Sequence, residues 1–276
     1  MIRYTTVDDA TMRALERHET QAHAIPSREM RDLGDAYVLY DPRDADPFWN
    51  RMASVRWPST PDSFDGRLAE AFALFGTLGR VPHIWPSPLH TAPGDLVDRL
   101  RAAGFNDVGA GHVMVLRDPA ATVSAAPDVQ VAPDVQVVAI QSPADVTGTD
   151  LADVGLVLAE AFGAPSGRAA ELASDMRITL DDERVLLVLA RVDGEPAAVA
   201  KATTFDGFTY LSSIGTREAF RGRGLARLVT RRAIALAGQE SKYAYLGVWT
   251  ENEAALRVYD DLGFASLGVS PDMLLE

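Results

Sequence analysis

Tyr210-Leu-Ser-Ser-Ile-Gly-Thr-Arg-Glu-Ala-Phe-Arg-Gly-Arg-Gly-Leu-Ala-Arg-Leu-Val-Thr-Arg-Arg232 is the stretch that decides the fold. It begins as a strand, with apolar and β-branched residues through Ile214. It ends as a helix, with Leu225, Leu228, Val229 and Leu236 on one face. Between them stands Arg221-Gly222-Arg223-Gly224-Leu225-Ala226. Two glycines let the backbone turn sharply and approach a ligand with no Cβ in the way. The helix that follows starts with N–H groups that have no internal acceptor, at the positive end of its dipole. That combination favours an anion. From Arg217 to Arg232 there are six arginines and one acid, Glu218, in a chain of net charge −13. A phosphate or pyrophosphate is the expected guest.

The loop fits neither of two common phosphate motifs. A P-loop needs Gly-Lys-Ser/Thr, which does not follow, and a dinucleotide loop needs Gly or Ala where Arg227 stands. The stretch does resemble the acetyl-CoA-binding motif of the GNAT acetyltransferase superfamily, Q/R-x-x-G-x-G/A, with Arg221, Gly224 and Ala226 filling it. Ile214-Gly215-Thr216 resembles the strand with which that family grips pantetheine.

A second match lies downstream, in Asn252-Glu-Ala-Ala255-Leu-Arg-Val-Tyr259-Asp-Asp-Leu-Gly263-Phe264. Asn252 is a good helix N-cap. Ala255, Val258, Tyr259 and Leu262 fall on one helical face, and Gly263 is a natural C′ residue. The run resembles the other GNAT signature, N-x-x-A-x-x-x-Y-x-x-x-G-F. The two motifs stand in the family's order, and the resemblance covers about residues 135–276. It implies an α/β (α+β) fold with a mixed, mostly antiparallel sheet flanked by helices.

Composition sets the remaining bounds. A length of 276 residues predicts one large domain or two ordinary ones, and 47% apolar residues suffice for a core. With no cysteine there is no disulfide, thiol nucleophile or Cys-bound metal, and no His pair stands at metal-ligand spacing. The N-terminus has no apolar signal region, and no run of eighteen apolar residues suggests a membrane span. A cytoplasmic protein is the expectation. The net charge argues against nucleic acid. Oligomeric state stays open, a homodimer included.

The first half reads as helix over 8–24, strand over 34–40, a β-prone aromatic stretch over 48–57, helix over 66–78, a short strand over 81–85, helix over 93–103 and strand over 113–116. Superposing Gly104-Phe105 on Gly263-Phe264 sets Pro93 opposite Asn252, Leu96 opposite Ala255 and Leu100 opposite Tyr259. Asp62 then stands where Arg221 does, with no glycine pair. A carboxylate there would repel phosphate. The half reads as a degenerate GNAT-like repeat, or else as an unrelated α/β domain. Three segments follow: 1–118 as this accessory domain, 119–134 as an extended linker, and 135–276 as the acetyltransferase domain. In the linker Pro127-Asp-Val-Gln-Val recurs at Pro133. The last segment reads as strand, two helices, and strands joined by hairpins at Asp193-Gly194 and Asp206-Gly207.

The resemblance implies a chemistry. Ile214, Gly215 and Thr216 would pair with pantetheine; Arg221, Gly222, Arg223, Gly224, Leu225 and Ala226 would hold the pyrophosphate of acetyl-CoA. Asn252 is included in the cofactor site, mainly as a cap. An amine, on a small molecule or peptide, would attack the thioester directly. A backbone N–H near Ile214 could polarise the carbonyl, and Tyr259 would protonate the leaving thiolate. The base is open among Glu251, Asp206, a water and Glu276, since all five histidines lie in the first half. His83 is a further candidate from that half, and Trp49, Trp57 and Trp85 are candidates for an acceptor pocket. A cationic acceptor between the halves is expected from Asp41, Asp44, Asp46, Asp62 and Asp65 around Phe48-Trp49, since carboxylates and aromatic faces suit cations. A non-catalytic acyl-CoA-sensing or interaction module on the same fold is the alternative.

Overall fold

The structure, a computed structural model, describes residues 2–125, 132–165 and 167–275. In chain order its elements are α1 (Asp9–Ala24), β1 (Glu29–Asp32), β2 (Tyr37–Tyr40), β3 (Arg51–Ala53), α2 (Pro61–Leu78), β4 (His83–Trp85), α3 (Leu96–Ala102), β5 (Phe105–Arg117) and α4 (Pro119–Ala125). There follow β6 (Val135–Ile140), α5 (Asp150–Ala161), α6 (Arg168–Thr179), β7 (Val185–Val192), β8 (Glu195–Phe205), β9 (Phe208–Thr216), α7 (Leu225–Ala237), β10 (Tyr243–Trp249), α8 (Glu253–Asp261) and β11 (Ala265–Leu275). The fold is mixed α/β. Its strand pairs are mostly antiparallel, with β3–β4 and β9–β10 parallel.

Contacts divide the chain into two compact units that interleave in sequence. The first holds the residues up to Met114, Gly247–Leu256 and the residues from Ala265 on; the second holds Val115–Leu246 and Arg257–Phe264. The last strand joins the first unit because β11 pairs with β4, Met273 opposite Ile84 and Leu274 opposite His83. Phe64, Phe75, Ile84, Leu100, Phe105 and Met273 share that unit's core.

In the second unit β7 and β8 are almost wholly buried, as their Val, Leu and Ala runs require. Both hairpin turns take positive φ at each central residue, Asp193 and Gly194, then Asp206 and Gly207. α5 covers one face: a Cβ on Gly215 would lie 2.7 Å from that of Ala161. α7 covers the other, where Thr209 donates to the Ala237 carbonyl.

The two units share one pairing sequence. β1–β2 and β2–β3 are antiparallel and β3–β4 is parallel with α2 between. Likewise β7–β8 and β8–β9 are antiparallel and β9–β10 is parallel with α7 between. Gly104 (φ 95) and Gly263 (φ 100) both end a helix before a buried phenylalanine.

Several sequence expectations need correction. Residues 119–134 are not an extended connector throughout, since Pro119–Ala125 is α4, packed on α7. The first copy of the repeat falls outside the described residues, while the second, from Pro133, runs into β6. The aromatic stretch 48–57 contributes a strand of three residues only, because Pro47–Trp49 is a 3-10 turn capped by Asp46. β5 starts at Phe105, eight positions before 113, its early part being polar and glycine-containing.

Candidate active site

The candidate site is a fork in the second unit. The β9–β10 register ends at Tyr210 opposite Tyr245, while β9 continues to Thr216. Past that point the β10-side backbone of β9 has no β10 partner among the described residues. On its other side β9 stays paired with β8, but the register slips: Ser212 faces Lys201 and Gly215 faces Val199. The extra residue makes a bulge, and Ser213 takes φ 50. Bulges redirect backbone groups out of the ladder. Ile214, Gly215 and Thr216 therefore form an edge that β10 leaves open just beyond a bulge, suited to an added extended strand.

The glycine loop follows this edge. Gly222 (φ 77) and Gly224 (φ 75) both occupy the left-handed region, which an L side chain enters only with strain. A Cβ at either would meet no atom within 4 Å, so the space before them is open. Leu228 N–H already donates to Gly224 O, starting α7. Among the described residues no acceptor takes the N–H of Gly222, Gly224, Leu225 or Ala226. Leu225 is buried and anchors the helix start, while Arg221, Gly222, Arg223 and Gly224 are exposed. The result is a row of unpartnered donors at a helix N-terminus, an arrangement that favours an anion.

The arginines are less available than their number suggests. Arg217 pairs with Glu160 at 2.7 Å and also donates to the Pro196 carbonyl. Glu160 accepts a second bond from Glu218 N–H, and the Arg217 guanidinium leads these contacts in holding its carboxyl below the usual range. Arg223 pairs with Asp134 at 2.6 Å. Arg227 donates to the Asp261 carbonyl at 3.2 Å, tying the first turn of α7 to the end of α8. Arg221 donates weakly to Thr216 O at 3.4 Å. The positive field of the sequence is thus partly cancelled by acids from elsewhere in this unit.

Tyr259 lies on α8 and is 7% exposed. Phe264 meets its ring edge-on at 6.0 Å. The helix ends in a Schellman arrangement, with Phe264 N–H to Tyr259 O and Gly263 N–H to Asp260 O. A Cβ on Gly263 would come 3.2 Å from Leu116, so packing as well as φ calls for glycine there. Burial pushes the Tyr259 phenol above its ordinary value, so the group stays protonated and can act as an acid. Asn252 is a cap: its Oδ1 accepts Ala255 N–H at 3.1 Å.

The first-half candidates are committed within the first unit. His83 is buried, its Nδ1 2.7 Å from the Pro47 carbonyl and its Nε2 against Asp272. Trp57 is core, and Trp49 lies under the Arg28 guanidinium at 3.6 Å. Asp41 binds Arg28 and accepts the Arg43 and Asp44 N–H groups, while Asp46 accepts that of Phe48. These acids are turned onto their own loop. Asp62 is exposed in the first turn of α2, and Asp65 is exposed one turn on. Of the base candidates, Glu251 is exposed, Asp206 occupies a turn, and Glu276 lies outside the described residues.

Three features escaped the sequence reading. Nothing in Ser212-Ser213-Ile214 announces a bulge. Asp134 sits in a repeat that reads as connector. Lys201 reads as an ordinary strand residue, although a lone lysine among alanines and valines is itself a signal.

Residues 157–264 match the model of the acetyltransferase (GNAT) family. No curated protein matches the chain in sequence. Among solved structures, a GCN5-related N-acetyltransferase from Kribbella flavida is similar at TM-score 0.67 and 17% identity, covering 98% of this chain and 96% of that one. A tandem GNAT protein from the clavulanic acid biosynthesis pathway is similar at 0.63 and 18%, covering 92% and 84%. A GCN5-related N-acetyltransferase from Sphaerobacter thermophilus gives 0.55 and 15%, covering 99% and 94%. These likenesses concern the fold. Fork, glycine loop and Tyr259 all fall within the matched residues, and residues 157–264 form a domain of the acetyltransferase (GNAT) family.

Proposed function

We propose that the second unit transfers an acetyl group from acetyl-CoA to an amine. The observation that carries this reading is the row of unpartnered N–H groups at Gly222, Gly224, Leu225 and Ala226, beside the edge of β9 that β10 leaves open. Pantetheine would lie along Ile214, Gly215 and Thr216, completing the ladder that β10 leaves. The pyrophosphate would sit on the loop from Arg221 to Ala226, with Gly222 and Gly224 giving it room and Arg223 adding charge. A backbone N–H at the Ser213–Ile214 bulge would polarise the thioester carbonyl.

The acceptor nitrogen bonds to the carbonyl carbon and the C–S bond breaks. Tyr259 gives its proton to the departing thiolate. The proton lost by the amine passes to a base or to water, and no residue is assigned to that step. Asn252 serves by starting α8, the helix that carries Tyr259.

The test is calorimetry with acetyl-CoA, followed by thiol release with a panel of amines, polyamines, aminoglycosides and peptide N-termini, set against neutral alcohols. Binding with amine-dependent thiol release supports the reading. Binding without release for any acceptor reduces the domain to a sensor, and no binding removes the reading altogether.

A further inference from the structure

Lys201 is one of two lysines in the chain, Lys242 being the other. It lies in the interior of β8, between Ala200 and Ala202, both fully buried. Such a position ordinarily carries an apolar side chain. Register places Lys201 in one row with Leu187 of β7 and Ser212 of β9. The next row on the same face is Thr203, Tyr210 and Tyr245. The rings of Tyr210 and Tyr245 lie 5.1 Å apart. Gly215, opposite Val199, belongs to this face too, which makes it the face that α5 covers.

Two hydroxyls here lack partners. Oγ1 of Thr203 and Oγ of Ser212 are closed off from solvent, and neither makes a hydrogen bond. A buried unpaired hydroxyl costs free energy, and these two stand in the strand row of Lys201 and in the row next to it. These groups gather where β9 and β10 part and next to the Ser213 bulge. In the acetyl-transfer reading that is the reacting end of the fork.

We infer that Lys201, with Ser212 and Thr203, binds a substrate carboxylate at this end of the fork, with Tyr210 and Tyr245 as its aromatic wall. The inference rests on the acyl-transfer reading and narrows its substrate class. An ammonium and two hydroxyls offer only donors to an anion, and a carboxylate has lone pairs for all of them. A simple cationic amine would meet repulsion instead. The carboxylate has two possible sources: an acceptor that is an amino acid, or a dicarboxylic acyl group on CoA.

The experiment uses the full chain as wild type, K201M, K201R and S212A. One arm measures by calorimetry the affinity for succinyl-CoA relative to acetyl-CoA. The other measures thiol release from acetyl-CoA with α-amino acids relative to their carboxamides. The expected result is a preference of about ten- to a hundredfold for the carboxylate form in one arm. K201M abolishes that ratio, S212A reduces it, and K201R retains part of it. The arm that shows the preference identifies the source. Acyl-CoA binding with no carboxylate preference in either arm overturns the inference and leaves acyl transfer standing. A preference that survives K201M overturns it as well. If neither thioester binds, the acyl-transfer reading fails and this inference with it. Should K201M not fold, S212A and K201R carry the same comparison.

Discussion

The guanidinium of Arg223, between the two glycines of the loop, donates to the carboxylate of Asp134 at 2.6 Å, just before β6. Both side chains are partly exposed, at 40% and 33%. The bond to Arg223 is the chief reason that the Asp134 carboxyl lies below its usual range. An incoming phosphate would compete with this carboxylate for one arginine. D134N therefore should tighten CoA binding by about two- to fivefold at low salt, the scale of an exposed ion pair. The gain should shrink as salt rises. Calorimetry at two ionic strengths checks this, and weaker binding by D134N would mean that Asp134 positions Arg223 for the ligand.

Gly224 is constrained by the ligand's space as well as by its backbone. At φ 75 an alanine costs about 1–2 kcal/mol. No protein atom lies within 4 Å of the added Cβ, so the domain has room for it. A larger side chain such as valine would project into the open space before the loop. G224V should keep the fold at a lowered Tm and lose CoA binding by at least about a hundredfold. Circular dichroism and calorimetry together separate this from general unfolding. Retained affinity in a folded G224V would move the phosphate elsewhere.

Much of this site was legible before the structure. Glycine spacing, the strand-to-helix change and the Asn252 to Phe264 periodicity are local signals, and local signals survive in sequence. Asp193-Gly194 and Asp206-Gly207 became the turns that their residue types predict. What stayed hidden depends on distant partners. Arginine counting overstated the charge of the loop because Glu160, Asp134 and Asp261 are remote in sequence from Arg217, Arg223 and Arg227. The acids near Phe48 looked like a cation site, but Asx-type bonds to their own backbone engage them. Pairing of Met273 with Ile84 joins residues far apart in the chain, so no periodicity could send β11 to the first unit.

In the first unit Arg51, 1% exposed, pairs with Glu19 at 2.6 Å. Burial alone would raise the Glu19 carboxyl, but the charges of Arg51 and His23 outweigh it and hold it at about 2, against an ordinary 4.5. A depressed acid stabilises the folded state fully above its unfolded value. The contribution is then lost as pH falls from about 4.5 toward 2. Wild type should lose stability across that window, and E19Q should respond less there. At pH 7 E19Q leaves a buried guanidinium uncompensated, which costs about 3–5 kcal/mol. Urea denaturation at both pH values measures each part. A shift under about 1 kcal/mol at pH 7 would show that Arg51 finds another acceptor.

Tyr259→Phe separates packing from catalysis. The ring remains against Phe264, so the core is undisturbed and acetyl-CoA affinity should change less than about twofold. If the phenol supplies the proton to the thiolate, turnover should fall by about ten- to a thousandfold. Burial keeps the phenol protonated beyond the ordinary tyrosine range, whose centre is about pH 10. Wild-type turnover should therefore show no alkaline decline from this group up to about pH 10, and any rise with pH reports deprotonation of the amine instead. Product release can hide a chemical step, so the pH series belongs in single-turnover mode as well as steady state. Y259F with unchanged single-turnover rates would leave Tyr259 as a core residue and give the proton to water.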